Sequence, residues 1–198
     1  GRRSDATERA HAAFVAGRDT VRAELRQLAE TLDARAPVLR AMRLGRVPRL
    51  SARILRKLDE HGLPGQHLLL VGTHALYAYE AEAGVQIPSA LLATGDVDLL
   101  WDARQRLSLV LPDARRRGVL GLLQKVDKSF RMRGPGDFRA SNAEGFWVDL
   151  IRPEDDDFLR ATSRETLGEA VDDLHGAPIA GLQWLVNASR FESVAIAE

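Results

Sequence analysis

The stretch Thr94-Gly-Asp-Val-Asp-Leu-Leu-Trp101 constrains this chain more than any other. Val97, Leu99, Leu100 and Trp101 have the apolar character of a buried strand, and in a strand successive side chains point to opposite faces. Asp96 and Asp98 therefore project from one face, side by side on an otherwise apolar element. Two neighbouring carboxylates are costly to keep ionised together. A divalent cation relieves that repulsion, and Mg²⁺ is commonly held by one or two carboxylates together with the phosphates of a substrate. The plain alternative is a strand end whose acids face water.

Two further segments belong with this one. Leu68-Leu-Leu-Val71 is a short continuous apolar run, which reads as a buried strand, and Gly72-Thr73 after it suits a tight turn into a helix over Thr73–Ala83 that Gly84 ends. Free amides at the start of such a helix bind phosphate well. Phe146 to Ile151 reads as another strand, closed by Pro153, with Asp149 set among Trp147, Val148, Leu150 and Ile151. A carboxylate there needs a partner. Asp149 is either a third oxygen ligand or base, or one half of an ion pair with an arginine. His74 reads as a surface or supporting residue rather than as a base.

Elsewhere the sequence gives a coarser outline. Residues 5 to 34 read as one long helix, with Phe14, Val21, Leu25, Leu28 and Leu32 at three- and four-residue steps. Pro37 should end that helix or open the next. Ser51 suits the cap of a short helix through Leu58, and His61-Gly-Leu-Pro-Gly65 a loop. Pro112-Asp113 starts a helix running to about Val126 that carries Arg115, Arg116 and Arg117. Ser129–Met132 and Phe138–Ala140 suit a hairpin around Gly134-Pro-Gly136. Thr162 to His175 reads as a polar helix, and Leu182 to Val194 as an apolar segment that packs on the core. The expected division is a helical N-terminal region at 1–62, a core at 63–153 and a helical C-terminal segment at 154–198.

Composition sets the outer limits. The 198 residues, 45% apolar and 28% charged, suit an ordinary globular domain with a helical lobe. The absence of cysteine excludes disulfides and thiolate metal sites and fits a reducing cytoplasm. No apolar run approaches the roughly 20 residues needed to span a bilayer, and no signal-peptide core is present, so a cytoplasmic protein without a membrane partner is expected. The formal net charge of zero hides a separation. Arg35, Arg40, Arg43, Arg46, Arg49, Arg53, Arg56 and Lys57 follow one another with no acid between them, while Glu154-Asp-Asp-Asp157 and Asp172-Asp173 crowd the tail. An acid-free cationic run suits a phosphate backbone, or else a solvated helical face. The Asp155–Asp157 run reads as a solvated helix start rather than a metal site.

Taken in order, Val71-Gly-Thr-His74, Ala93-Thr-Gly-Asp-Val-Asp-Leu-Leu-Trp-Asp102, Lys128-Ser-Phe-Arg131 and Val148-Asp-Leu-Ile-Arg-Pro153 resemble the motifs of the nucleotidyltransferase superfamily with the polymerase-β-like fold. More narrowly they resemble a bacterial group of such proteins, over roughly residues 66 to 192. Thr73 stands where the superfamily usually has Ser, and Gly84-Val-Gln-Ile-Pro88 lengthens the gap between Gly72 and Asp96. The resemblance implies an α/β (α+β) fold, a short mixed sheet flanked by helices with a helical N-terminal region added. It also implies a transfer of NMP from a nucleoside triphosphate, ATP among the candidates, to an acceptor, with release of pyrophosphate.

In that scheme Asp96, Asp98 and Asp149 hold Mg²⁺ or Mn²⁺, and Gly72 and Thr73 cradle the phosphates. Lys128 and Arg131 neutralise the phosphates, unless they merely solvate the surface. The Arg35–Lys57 run favours an RNA acceptor. Family members continue with a further basic helical region, so the resemblance implies that this sequence stops short of a C-terminal lobe. Two rivals remain open: a glycosyltransferase that uses an Asp-x-Asp pair to hold a nucleotide sugar, and a module that kept nucleotide or RNA binding without turnover.

Overall fold

The structure is a computed structural model and describes residues 4–102, 112–154, 166–170, 172–190 and 196–197. By its contacts the chain forms two compact units, Gly1–Leu44 and Gly45–Glu198.

The first unit is one helix, α1 (Asp5–Ala41), capped by Ser4, whose hydroxyl accepts from the Thr7 amide. Pro37 lies inside it, so the helix runs past the expected stop. Proline removes one amide donor and disturbs one turn, and on a helix with no buried residue solvent can satisfy the freed carbonyl.

The second unit is built on a mixed sheet. Its strands are β2 (Leu68–Val71), β3 (Asp96–Trp101), β4 (Arg131–Met132), β5 (Arg139–Ser141), β6 (Trp147–Pro153) and β7 (Ala177–Ile179). The order is β2-β3-β6-β5-β4, with β7 pairing the end of β6. β3 and β6 run parallel, and β2 and β5 run antiparallel to their neighbours. A two-stranded parallel pair joins β1 (Arg46–Val47) to β8 (Ile196–Ala197). Helices α2 (Arg49–Asp59), α3 (Gly72–Ala83), α4 (Ser89–Leu92), α5 (Pro112–Val126) and α6 (Gln183–Asn187) complete the unit. Sheet, flanking helices and helical N-terminal region are the α+β architecture expected from the sequence.

Alternation decides which face of the sheet is dry. Val97, Leu99 and Trp101 on β3 and Val148 and Leu150 on β6 are buried, together with Ile54 and Leu58 of α2, Val119, Leu122 and Leu123 of α5, and Phe130. α2 packs on α5 around this core, joining residues expected in the N-terminal region to the second unit. Ser51 sits inside α2, whose cap position is Pro48, so it does not cap that helix. The hairpin of β4 and β5 forms as expected, but Lys128 lies in the turn before it rather than on a strand.

The segment read as a helix over Thr162–His175 is not one where it is described. Thr166 and His175 pair as an isolated bridge, and residues 162–165 lie outside the described residues. Asp173 explains the difference: its buried carboxylate accepts from the amides of Val119 (3.0 Å) and Leu120 (2.9 Å), just after α5 breaks at Gly118. Leu167 and Leu174 are drawn into the core on either side. Capping another helix and filling the core together win over local helical propensity. Asp155–Asp157 and residues 191–194 of the apolar tail segment also lie outside the described residues.

Candidate active site

The strand register assembles the site. Asp98 on β3 and Asp149 on β6 are partners across the parallel pair, and Asp96 lies two residues from Asp98 on the same face. Val71 of β2 is the partner of Asp98 on its other side, so the turn into α3 begins beside that carboxylate. Gly72 has φ +65, and a Cβ built there would lie 3.1 Å from Asp98 Cγ and closer still to Oδ2. Only glycine combines this left-handed backbone with so close an approach. Thr73 follows, half-buried in the first turn of α3.

The electrostatics follow from this packing. Burial, then the negative charges of Asp96 and Asp149, push the Asp98 carboxyl above the usual carboxylate range, and Arg139 only partly offsets them. Asp96 accepts from the Thr94 hydroxyl. Asp149 is buried and clasped by Arg139, Nε donating to Oδ1 at 2.7 Å and Nη2 to Oδ2 at 2.5 Å. That bidentate geometry is among the stronger charge-assisted arrangements. Arg139 is the register partner of Asp149 from β5, and its guanidinium also lies 4.3 Å from the ring centroid of Trp147. The arginine that the sequence left unnamed is thus Arg139. The signal was the alternation Phe138-Arg139-Ala140-Ser141, which turns Arg139 to the face opposite buried Ala140, but only the register brings it to Asp149.

Among the described residues no group of three or more His, Asp or Glu side chains is arranged to hold a metal ion as it stands. The chemistry of the donors nonetheless fits a divalent cation. Asp98 carries the like-charge strain that a cation relieves. Asp96 is its neighbour, whereas both oxygens of Asp149 are taken up by Arg139.

The other expected residues are placed as follows. Arg131 starts β4 and partners Ser141, which partners Trp147, which partners Asp96, so it shares the carboxylate face. Three strand spacings separate it from Asp96, roughly 14 Å. Its guanidinium donates to the carbonyls of Lys128 (2.5 Å) and Phe130 (2.7 Å). Lys128 is exposed in the turn before β4 and is not drawn against the carboxylates.

His74 is buried, with Nε2 2.7 Å from the Ser51 hydroxyl, and burial lowers its pKa. It ties α2 to the first turn of α3, a supporting role that needs no proton transfer.

A profile of the family described as Nucleotidyltransferase matches residues 49–198. The chain belongs to this nucleotidyltransferase family. It is an enzyme of nucleotidyl transfer, and the matched span contains Gly72, Thr73, Asp96, Asp98, Arg139 and Asp149. No curated protein and no solved structure matches the chain. No helix among the described residues of this nucleotidyltransferase is long and apolar enough to cross a membrane.

The basic run of the nucleotidyltransferase is less uniform in space than in sequence. Arg46 is buried and paired with Glu80 at 3.2 Å, and it also donates to Ser89 and to the Ile87 carbonyl. Lys57 pairs with Glu60. The acids missing from the run are supplied by the chain beyond it. Arg49, Arg53 and Arg56 remain exposed at the four- and three-residue steps that put them on one side of α2.

Proposed function

We propose that this nucleotidyltransferase is of the polymerase-β-like, bacterial type and works with Mg²⁺ or Mn²⁺, moving NMP from a nucleoside triphosphate to an acceptor hydroxyl and releasing pyrophosphate. The observation that carries this is the register of β3 and β6, which sets Asp98 against Asp149 with Asp96 on the same face and the Gly72 turn alongside. Asp96 and Asp98 would hold the divalent ion, with Asp149 as a third ligand. Such an ion supplies charge neutralisation at the phosphates and lowers the pKa of an oxygen bound to it.

The chain's own residues do the rest. Gly72 and Thr73 present backbone amides and a hydroxyl at the start of α3, where phosphate is favoured by unpaired donors and the helix dipole. Arg139, if released from Asp149, would be free to meet the phosphates, and Arg131 on the same face and Lys128 in the turn before β4 would add positive charge farther away. Positioning and electrostatic stabilisation of this kind account for most of phosphoryl-transfer catalysis.

The acceptor we favour is RNA, contacted through the Arg35–Lys57 run and in particular through Arg49, Arg53 and Arg56. A nucleotide-sugar glycosyltransferase would need neither the Gly72 turn nor Asp149. A survey of all four α-labelled triphosphates with Mg²⁺, against total RNA, protein extract and small-molecule extract, tests the reading. Label should move from at least one triphosphate to a defined acceptor with stoichiometric pyrophosphate. Transfer of sugar from a nucleotide sugar instead would overturn it.

A further inference from the structure

Across β3, β6, β5 and β4 one row of residues reads Asp96, Trp147, Ser141, Arg131, all on the face that bears the site. The Trp147 amide donates to the Gly95 carbonyl at 2.8 Å, which fixes the indole one strand spacing from Asp96. In that setting an indole is unusual: the opposite face of β6 buries its apolar side chains, whereas Trp147 remains 39% exposed. The Arg139 guanidinium lies 4.3 Å from the ring centroid. The exposed part of the indole thus lies on the carboxylate face, one strand from Asp96, where its planar surface can meet a planar ligand.

We infer that Trp147 is a stacking platform for a nucleobase, placing the nucleotide's base on the indole while its phosphates lie toward Asp96, Asp98 and Gly72. This rests on the nucleotidyl-transfer site proposed above. An aromatic ring offers its face to any base, so the platform tolerates different bases and fixes position rather than identity. Arg139 and Arg131 flank it with positive charge suited to the attached phosphates. The base belongs either to the incoming triphosphate or to the last nucleotide of an RNA acceptor, and the two sources are separable.

The chain has three tryptophans, of which Trp101 is buried at 1% exposure and Trp184 is 65% exposed. In the Trp184→Phe background, Trp147 is therefore the solvent-accessible indole, read above the constant emission of buried Trp101. Its emission is titrated, with Mg²⁺ present, by the α,β-methylene analogue of ATP and separately by a short single-stranded oligoribonucleotide. Affinities of the same two probes are measured by calorimetry for wild type, Trp147→Ala, Trp147→Leu and Trp147→Phe.

Saturable quenching by the analogue assigns the platform to the incoming base, and quenching by the oligonucleotide alone assigns it to the acceptor. Removing one base–aromatic stack, at about 1–3 kcal/mol, corresponds to a loss of roughly 5- to 140-fold in affinity for Ala. Leu should lose nearly as much, and Phe should keep most of it. If wild type binds a probe and the Ala variant binds it equally, with no quenching, the platform is refuted while the transfer site stands. If wild type binds neither probe, platform and transfer site fall together. Should Trp147→Ala fail to fold, the quenching titration and the Leu and Phe variants decide.

Discussion

Asp98 and Asp149 stand as direct partners on parallel strands, one carboxylate strained by burial and its neighbours and the other clasped by Arg139. The pair is held in two different ways, and each way can be tested.

Asp98→Asn should stabilise the metal-free protein. The folded-state pKa of Asp98 lies above its unfolded value of about 3.9, so the folded state holds that proton more tightly. Stability from this group is then full below that value and is lost as pH rises through the folded pKa. Thermal melts in chelator should show the variant melting higher than wild type at pH 7, with the gap closing near pH 4. An unchanged melting temperature at pH 7 would mean that burial and the neighbouring charges do not strain this carboxylate.

Arg139→Met removes the guanidinium from Asp149 and leaves that buried carboxylate without its partner. Losing charge-assisted hydrogen bonds of this kind costs about 1.5–3 kcal/mol. Mg²⁺ or Mn²⁺ should recover part of that loss, because a cation takes the place of the guanidinium. Denaturant melts with and without metal check it. A loss that metal leaves untouched would count against Asp149 as a third ligand.

Gly72→Ala puts a methyl group against Asp98 at a backbone angle that L residues rarely adopt. A cost of about 1–3 kcal/mol is expected for the backbone strain alone. Displacement of Asp98 should abolish transfer in protein that still folds. Circular dichroism melts and turnover, measured together, separate the two effects.

The basic run splits into two predictions. Arg49→Gln with Arg56→Gln should lower the salt slope of log K for single-stranded RNA by about 1.4, from roughly 0.7 per phosphate contact. Arg46→Gln should leave that slope alone. It should instead destabilise the protein by about 3–5 kcal/mol, because Glu80 would be left buried without its cation. Filter binding across a salt series and denaturant melts distinguish them.

β2, β3 and β6 and the glycine turn into α3 were legible in the sequence because each is marked within a few residues: an apolar run, an alternation, a Gly that ends or opens an element. What escaped was set by partners distant in sequence. Arg46 looked like a phosphate ligand until the fold brought Glu80 to it. Asp173 lay in a stretch with helical propensity until it capped α5 at Gly118. Ser51 looked like a cap, but the helix starts two residues earlier, at Arg49 after Pro48, and the hydroxyl meets His74 instead. Arg139 carried no local signal of its tie to Asp149, which depends on the pairing of two strands. Pro37 shows the reverse case, a strong local signal overridden where an exposed helix can hydrate the carbonyl that proline frees.

The central claim is that Asp96 and Asp98 hold the ion that nucleotidyl transfer requires. The most direct measurement follows labelled pyrophosphate released from a γ-labelled triphosphate by wild type, Asp96→Asn and Asp98→Asn across a Mg²⁺ titration, with Mn²⁺ affinity measured on the same proteins. The account predicts Mg²⁺-dependent release by wild type, loss of release in both variants, and weakened Mn²⁺ binding although both variants remain folded. Release that proceeds equally without divalent metal, or that survives either substitution at the wild-type rate, would contradict it.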